Sequence, residues 1–162
     1  MKKASILIIM SLSIIACPVY GGEREQSGRY VSLHKLSTGL TVVVAEGDFE
    51  PRSIGSYSLR LYKANPEFPT DDFLCGTIRS RDGSIEKVKI QDIDKDGTEE
   101  IIIIIRAAGT GGYLSADAFN YQSKKFNLIA NVTDLPKNTD PIHKLTNILK
   151  SNTGQMDAPG KN

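Results

Sequence analysis

The chain has 162 residues and a formal net charge of +1, with 24% charged and 40% hydrophobic residues. This length and composition are typical of one globular domain with a hydrophobic core of its own. The balanced charge and the lack of any cluster of basic residues argue against nucleic acid as a partner.

Residues 1–21 have the pattern of a secretory signal peptide. Two lysines precede an apolar segment over residues 5–15, which is too short for a permanent membrane helix. Two processing routes stay open. One is ordinary cleavage after Gly21 or Gly22, and the other is lipidation at Cys17, which follows a small residue as in lipoprotein signals. Only lipidation would attach the protein to a membrane.

Cys75 is the second of the two cysteines. Cys17 is either lipidated or removed, so Cys75 has no partner within the chain. A lone cysteine in an oxidising compartment either packs as a small hydrophobe or bridges two chains. The neighbours Phe73 and Leu74 favour packing.

We predict a flexible lead-in over residues 22–28, a single domain over residues 29–150 and a disordered tail over residues 151–162. Within the domain, β-branched and alternating segments predict eight strands. These strands cover residues 29–34, 40–46, 56–62, 73–79, 84–90, 101–105, 113–121 and 125–132.

One helix is predicted near the C-terminus. Asp140 can cap its N-terminus, Pro141 suits its first position, and an apolar face recurs at helical spacing. This face comprises Ile142, Leu145, Ile148 and Leu149. About eight strands with one short C-terminal helix predict a mainly β protein, an antiparallel β-sandwich or barrel.

The fourth and fifth predicted strands are separated by a turn signal. Arg81, Asp82 and Gly83 predict a tight turn that closes a hairpin between them. In the fifth strand Ile85, Val88 and Ile90 do not alternate strictly, which predicts a bulge or an edge position.

Five consecutive isoleucines at residues 101–105 form the most hydrophobic segment of the domain. Every side chain is β-branched and none alternates with a polar one, so both faces of this strand are expected to be buried at the centre of a sheet. A glycine-rich loop follows and presents Thr110 and Tyr113. We interpret the chain as a scaffold for that loop.

An acidic turn precedes the isoleucine strand. Asp92, Asp94 and Asp96 alternate, Gly97 follows, and Glu100 is at the ninth position. This is the first half of a calcium loop, which places oxygen ligands at positions one, three and five and glycine at six. The twelfth position is isoleucine rather than glutamate, which excludes a complete EF-hand loop.

The alternative for this turn is a solvated loop whose aspartates accept local backbone hydrogen bonds. The three crowded carboxylates repel one another, which favours a cation. The lack of a strong fourth ligand favours the solvated loop. The sequence therefore predicts no obligatory cofactor and leaves calcium open.

No catalytic constellation is present. His34 and His143 are far in sequence from any nucleophile motif. The glycine-rich loop leads to a strand and so lacks the helix dipole of a phosphate-binding loop. The carboxylates cluster in one turn, whereas a glycosidase needs two separated ones. We predict that the protein is not an enzyme.

Two long segments resemble a known family, the bacterial periplasmic inhibitors of invertebrate-type (i-type) lysozyme. Residues 39–84 do so through Leu-Thr-Val-Val-Val-Ala-Glu-Gly-Asp-Phe-Glu-Pro-Arg-Ser-Ile-Gly-Ser-Tyr-Ser and Phe-Pro-Thr-Asp-Asp-Phe. Residues 92–119 do so through Arg-Ala-Ala-Gly-Thr-Gly-Gly-Tyr-Leu-Ser-Ala-Asp-Ala-Phe. The similarity covers roughly residues 28–149.

The resemblance implies a β-rich fold, often a homodimer, in the periplasm of a Gram-negative bacterium, with i-type lysozyme as the partner. It also implies a loop that plugs the substrate cleft of the enzyme. The signature of that loop falls here on Thr110, Gly111, Gly112 and Tyr113, with threonine in place of the family's serine. The alternative for Tyr113 is a ring buried in the core.

A second loop has similar chemistry and is expected to form the other side of the plug. Its residues are Arg52, Ser53, Ser56 and Tyr57. The arginine is suited to a bidentate contact with a carboxylate. The rival function is a calcium-dependent extracytoplasmic binding module, organised on residues 92–100 instead of the glycine-rich loop.

Overall fold

The computed structural model describes the backbone of residues 28–156 and the side chains of residues 28–152. The predicted signal peptide, Cys17 and all but the last residue of the lead-in lie outside the described residues. The strands are β1 (Val31–Lys35), β2 (Thr41–Glu46), β3 (Ile54–Tyr62), β4 (Phe73–Asp82), β5 (Ser84–Gln91), β6 (Glu100–Arg106), β7 (Leu114–Gln122) and β8 (Lys125–Leu135), and the helix is α1 (Pro141–Met156).

The strands form two four-stranded sheets, ordered β1-β2-β3-β4 and β5-β6-β7-β8. Every pairing is antiparallel. The predicted mainly β fold with one C-terminal helix is confirmed. Because the two sheets share no paired strands, the architecture is the sandwich and not the barrel.

The main core lies between the sheets. Val42 and Val44 of β2 meet Ile101, Ile103 and Ile105 of β6, and all five are buried. Alternate residues of a strand point to the same face. The odd-numbered isoleucines therefore fill the space between the sheets.

The even-numbered isoleucines of β6 face the other way. Ile102 and Ile104 join a second core that includes Leu145 of α1, which is completely buried. The helix therefore covers the outer face of the second sheet. The predicted central position of the isoleucine strand is confirmed, since β6 is an inner strand with hydrophobic partners on both faces.

The helix begins where the sequence predicts. Oδ1 of Asp140 accepts the N–H of Ile142 at 2.9 Å, as an N-terminal cap does. The helix ends later than predicted, because α1 continues to Met156. The prediction of a disordered tail from Ser151 is wrong for residues 151–156, where an established helix extends at little cost per residue. Residues 157–162 lie outside the described residues.

The predicted hairpin between the fourth and fifth strands is wrong. β4 pairs with β3 and β5 pairs with β6, so the chain passes from one sheet to the other at Gly83. The glycine has a φ of +107°, which side chains rarely adopt. A Cβ atom there would lie 2.6 Å from the carbonyl carbon of Arg106. The turn signal marks this close crossing.

The irregular fifth strand is explained by its position. β5 is an edge strand, and its register against β6 shifts between Ile85 and Lys87. Both the predicted bulge and the predicted edge position are confirmed. Bulges of this kind disturb an edge and discourage pairing with other chains.

Cys75 lies in β4, half-buried, and packs against the core between the sheets. Burial raises the pKa of its thiol, so the thiol stays protonated and weakly reactive. This position agrees with the predicted packing role. Among the described residues no helix is long and apolar enough to cross a membrane.

The crossing at Gly83 generates a prediction about stability. Gly83→Ala forces a side chain into the backbone of Arg106 and into a left-handed φ, and we expect it to lower the free energy of unfolding by at least about 2 kcal/mol. Urea denaturation measures the change. Gly109→Ala is the control, because a Cβ there meets nothing within 4 Å. Equal stabilities of the two variants would contradict the proposed constraint.

Candidate functional site

The glycine-rich loop between β6 and β7 is closed at its base. The N–H of Ala107 donates to the carbonyl of Tyr113 at 2.9 Å, and the N–H of Gly112 donates to the carbonyl of Gly109 at 3.3 Å. Gly112 has a φ of +56°. These bonds make residues 107–113 a compact turn on the end of the most buried strand.

Arg106 braces this loop from the side. Its Nη1 donates to the carbonyl of Gly112 at 2.9 Å. Its Nε forms an ion pair with Glu86 of β5. Both side chains of the ion pair are partly exposed, so the pair alone contributes little to stability. Its effect is to direct the guanidinium towards the loop.

Tyr113 is exposed. Half of its surface contacts solvent, and the ring lies over Gly111, where a Cβ atom would be 2.7 Å from Cδ2 of the ring. β7 begins one residue later, at Leu114, whose side chain is buried. The alternative of a core position for Tyr113 is wrong. Thr110 is also exposed, so the loop presents two hydroxyl groups and its free backbone N–H groups.

The second predicted loop is built around a glutamate. Both the N–H and the hydroxyl of Ser56 donate to the carboxylate of Glu50, at 2.5 and 2.7 Å. These two bonds are the main reason why the pKa of Glu50 is lowered. Ser56 therefore uses its hydroxyl inside the protein, and the prediction that it faces a partner is not supported by this geometry.

Arg52 and Ser53 are exposed beside the same turn. Within residues 28–152 the guanidinium of Arg52 makes no hydrogen bond or ion pair, whereas its carbonyl accepts from Nη1 of Arg81 at 2.8 Å. The backbone of Arg52 is therefore fixed while its side chain is available to a partner.

Both loops lie at one end of the sandwich. The carbonyl of Ser53 accepts the N–H of Gly83 at 2.7 Å. Gly83 in turn lies against the backbone of Arg106 and Ala107, where the glycine-rich loop begins. The structure therefore places Ser53 and the start of the glycine-rich loop on either side of Gly83; that the two loops form one binding surface stays a prediction.

Tyr57 does not belong to this surface. Its side chain is completely buried, and its hydroxyl donates to Asp117 of β7. The same carboxylate accepts from Nε of Arg79 at 3.2 Å and from Nδ2 of Asn131 at 2.5 Å. Burial, followed by the charge of Asp117, raises the pKa of Tyr57 above its usual range.

The prediction of a lysozyme contact at Tyr57 is therefore wrong. Strand alternation places Tyr57 on the same inward face as Leu59 and Leu61. That signal was present in the sequence. The residue belongs to a polar network that links the two sheets.

Two functional features were missed by sequence reasoning. One is the brace made by Arg106 and Glu86, and the other is the buried Arg81, which holds the Arg52 turn. An arginine directly before a glycine-rich loop was the available signal for the first. No local signal marks the second, because its partners are distant in sequence.

The acidic turn has a distinct geometry at the opposite end of β6. Asp92, Asp94 and Glu100 bring carboxylate oxygens within 4.8 Å of one another, whereas Asp96 is not in this group. Glu100 is completely buried. Burial raises the pKa of Glu100 to about 7, against the opposing effect of a hydrogen bond from Ile93. Seven residues of strand separate this turn from the glycine-rich loop, which is about 20 Å.

Comparisons with known proteins agree on one family. The family model described as "Periplasmic lysozyme inhibitor of I-type lysozyme" matches residues 28–149. No match was found among curated proteins.

Two solved structures are similar over almost their whole length. The first is PliI-Ah, a periplasmic lysozyme inhibitor of I-type lysozyme from Aeromonas hydrophila, with 42% identity and a TM-score of 0.68, covering 72% of this chain and 98% of that chain. The second is Aeromonas hydrophila PliI in complex with Meretrix lusoria lysozyme, with 42% identity and a TM-score of 0.67, covering 72% and 94%. The chain described here therefore belongs to the family of periplasmic inhibitors of I-type lysozyme.

Proposed function

We propose that this protein inhibits I-type lysozyme by inserting residues 107–113 into the substrate cleft of the enzyme. Inhibition and the periplasmic location follow from the family, whose members are inhibitors and not enzymes. The observation that supports the loop as the contact is the exposed ring of Tyr113 on a braced turn.

The chemistry of the loop suits such a cleft. Glycosidases hold catalytic carboxylates in the cleft. The hydroxyls of Thr110 and Tyr113 and the backbone N–H groups of Gly109 and Gly111 can donate hydrogen bonds to such carboxylates. Each well-formed bond to a charged group contributes about 1.5–3 kcal/mol. A loop already fixed by Arg106 loses little conformational entropy on binding, which favours affinity.

We assign a supporting contact to the neighbouring turn. The free guanidinium of Arg52 is suited to a bidentate contact with a carboxylate at the rim of the cleft, and Ser53 lies beside it. A related inhibitor forms a complex with a lysozyme from Meretrix lusoria, which supports a direct protein–protein contact for this chain.

We also propose a homodimer, formed through the outer face of the first sheet. Val31, Ala45, Ser58 and Ile78 lie side by side across the four strands. Val31 is 68% and Ile78 74% exposed, and Leu33 and Phe73 are more than half exposed on the same sheet. Contiguous apolar surface of this kind is typical of a protein interface. Because this face lies on the side of the sheet away from the core, a dimer formed through it would leave the two loops accessible to lysozyme.

The first prediction concerns activity. The purified secreted protein is expected to inhibit I-type lysozyme at near-stoichiometric amounts and to leave chicken-type and goose-type lysozymes largely active. Clearing of a cell-wall suspension measures each enzyme. Inhibition is expected to be the same with and without a chelator, because the acidic turn lies at the far end of β6. Loss of inhibition under chelator, restored by calcium, would instead favour the calcium-dependent binding module.

The second prediction contrasts two tyrosines. Tyr113→Ala is expected to weaken lysozyme binding by roughly 2–4 kcal/mol, as for an interface hot spot, and to lower the free energy of unfolding by less than about 1 kcal/mol. Tyr57→Phe is the matched control. It removes a buried hydrogen bond and is expected to cost about 1–3 kcal/mol of stability with inhibition unchanged. Full inhibition by folded Tyr113→Ala would contradict the proposed contact.

The third prediction concerns the dimer. Ile78→Arg places a charge at the most exposed of these apolar side chains and is expected to convert the protein to a monomer in sedimentation equilibrium. Leu128→Arg, on the second sheet, is the control and is expected to leave the mass unchanged. At a protein concentration of about 100 μM, a dimer with an interface of standard size is expected to be associated. A wild-type protein that sediments as a monomer at that concentration would contradict the proposal.

A further inference from the structure

The acidic turn between β5 and β6 has a chemistry that lysozyme inhibition does not use. Asp92, Asp94 and Glu100 each offer a carboxylate oxygen, and these oxygens lie within 4.8 Å of one another. A calcium–oxygen bond is roughly 2.4 Å long. A single ion among the three side chains can therefore contact all of them.

Glu100 supplies an independent reason to expect a cation. The side chain is completely buried. Its Oε2 accepts the N–H of Ile93 at 2.9 Å, whereas Oε1 is buried with no hydrogen-bond partner. Among residues 28–152 no basic side chain forms an ion pair with it. A buried carboxylate in this state is costly, and a divalent cation supplies both the missing charge and the missing ligand contact.

The backbone of the turn is shaped as a loop around these carboxylates. The carboxylate of Asp92 accepts the N–H groups of Lys95 and Gly97 at 2.7 and 3.0 Å. Gly97 has a φ of +92° and its α-carbon faces open space. Glycine at the sixth position after an aspartate at the first is the arrangement that allows the sharp turn of a calcium loop.

We propose that this turn is a calcium site, with Asp92, Asp94 and Glu100 as the side-chain ligands. Asp96, the fourth acidic residue of the sequence pattern, accepts the N–H of Thr98 at 2.7 Å and stands outside the group of converging oxygens. Calcium takes six to eight oxygen ligands and accepts irregular geometry, so backbone carbonyls and water complete the shell. Magnesium requires a near-ideal octahedron with shorter bonds, which a turn with one buried and two more accessible carboxylates fits poorly.

The proposed site lies in the turn that joins the edge strand β5 to the inner strand β6 of the second sheet. Ile93 is buried in the core beneath α1, and Glu99, next to the ligand Glu100, accepts the N–H of Ser37 from the β1–β2 turn at 2.7 Å. The ion would therefore tie β5 and β6 together at the end that also touches the first sheet. The expected effect of calcium is on the stability of the domain.

The test is a calorimetric titration of the full secreted chain with calcium chloride, after treatment with EDTA and dialysis. We expect one ion per chain with a Kd at or below about 1 mM, as in extracellular calcium modules. The melting temperature is expected to rise by at least about 3 °C at ten times the Kd. No heat and no shift in melting temperature at about 10 mM calcium would overturn the proposal. So would an equal shift with magnesium.

Substitutions of the proposed ligands show whether a residue binds calcium or only supports the structure of the turn. Asp94→Asn keeps the acceptor for the N–H of Asp96 and is expected to weaken calcium binding at least about tenfold, the effect of removing one charged ligand, with the melting temperature in EDTA unchanged. Glu100→Gln removes the buried charge. In EDTA this variant is expected to melt at or above the wild type, and calcium no longer shifts its melting temperature.

Glu99→Gln is the matched control, since it removes a neighbouring acidic charge that is not a ligand. Its calcium affinity is expected to stay within about twofold of the wild type, because salt weakens the attraction of a partly exposed charge that does not contact the ion. Wild-type affinity in Asp94→Asn, or a loss in Glu99→Gln as large as in Asp94→Asn, would show diffuse attraction to an acidic surface and overturn the site.

Discussion

A fully buried guanidinium holds the one place where the described chain passes from the first sheet to the second. Arg81 donates to four main-chain carbonyls, those of residues 51, 52, 56 and 83. It also lies 3.8 Å from Glu46, whose carboxylate accepts the N–H of Ile85. A buried charge is tolerated only when it is paired and hydrogen-bonded. Here the pairing fixes the path of the backbone on both sides of the crossing.

The proposed inhibitory surface depends on this crossing. Gly83 is pressed against the backbone of Arg106, and Arg106 holds the carbonyl of Gly112. The turn that carries Arg52 is fixed by the same Arg81. Two loops that are distant in sequence are thereby set at one end of the sandwich before any partner arrives. An inhibitor gains affinity from such pre-organisation because it orders few groups on binding.

Local patterns predicted the elements well, and failed where the outcome depends on distant partners. The run at residues 101–105 predicted a central strand, because it is β-branched throughout, too short for a helix, and apolar on both faces. The cap at Asp140 predicted the start of the helix. The sequence around Gly83 correctly predicted a turn. The pairing of β5 with β6, which is not a local property, decides that the chain crosses from one sheet to the other at this turn. Tyr113 was ambiguous because one residue of register separates the exposed ring from the buried Leu114.

β6 connects the two proposed sites, and its rigidity explains why they are expected to act independently. Its isoleucines are buried on both faces, so the strand has no room to shift along its length when a group binds at either end. The geometry of the glycine-rich loop is set locally, by Arg106 and Gly83. An ion held at Glu100 would stabilise the folded state as any ligand of the native form does. Calcium would therefore prolong the lifetime of the inhibitor outside the cytoplasm and leave its affinity for lysozyme unchanged.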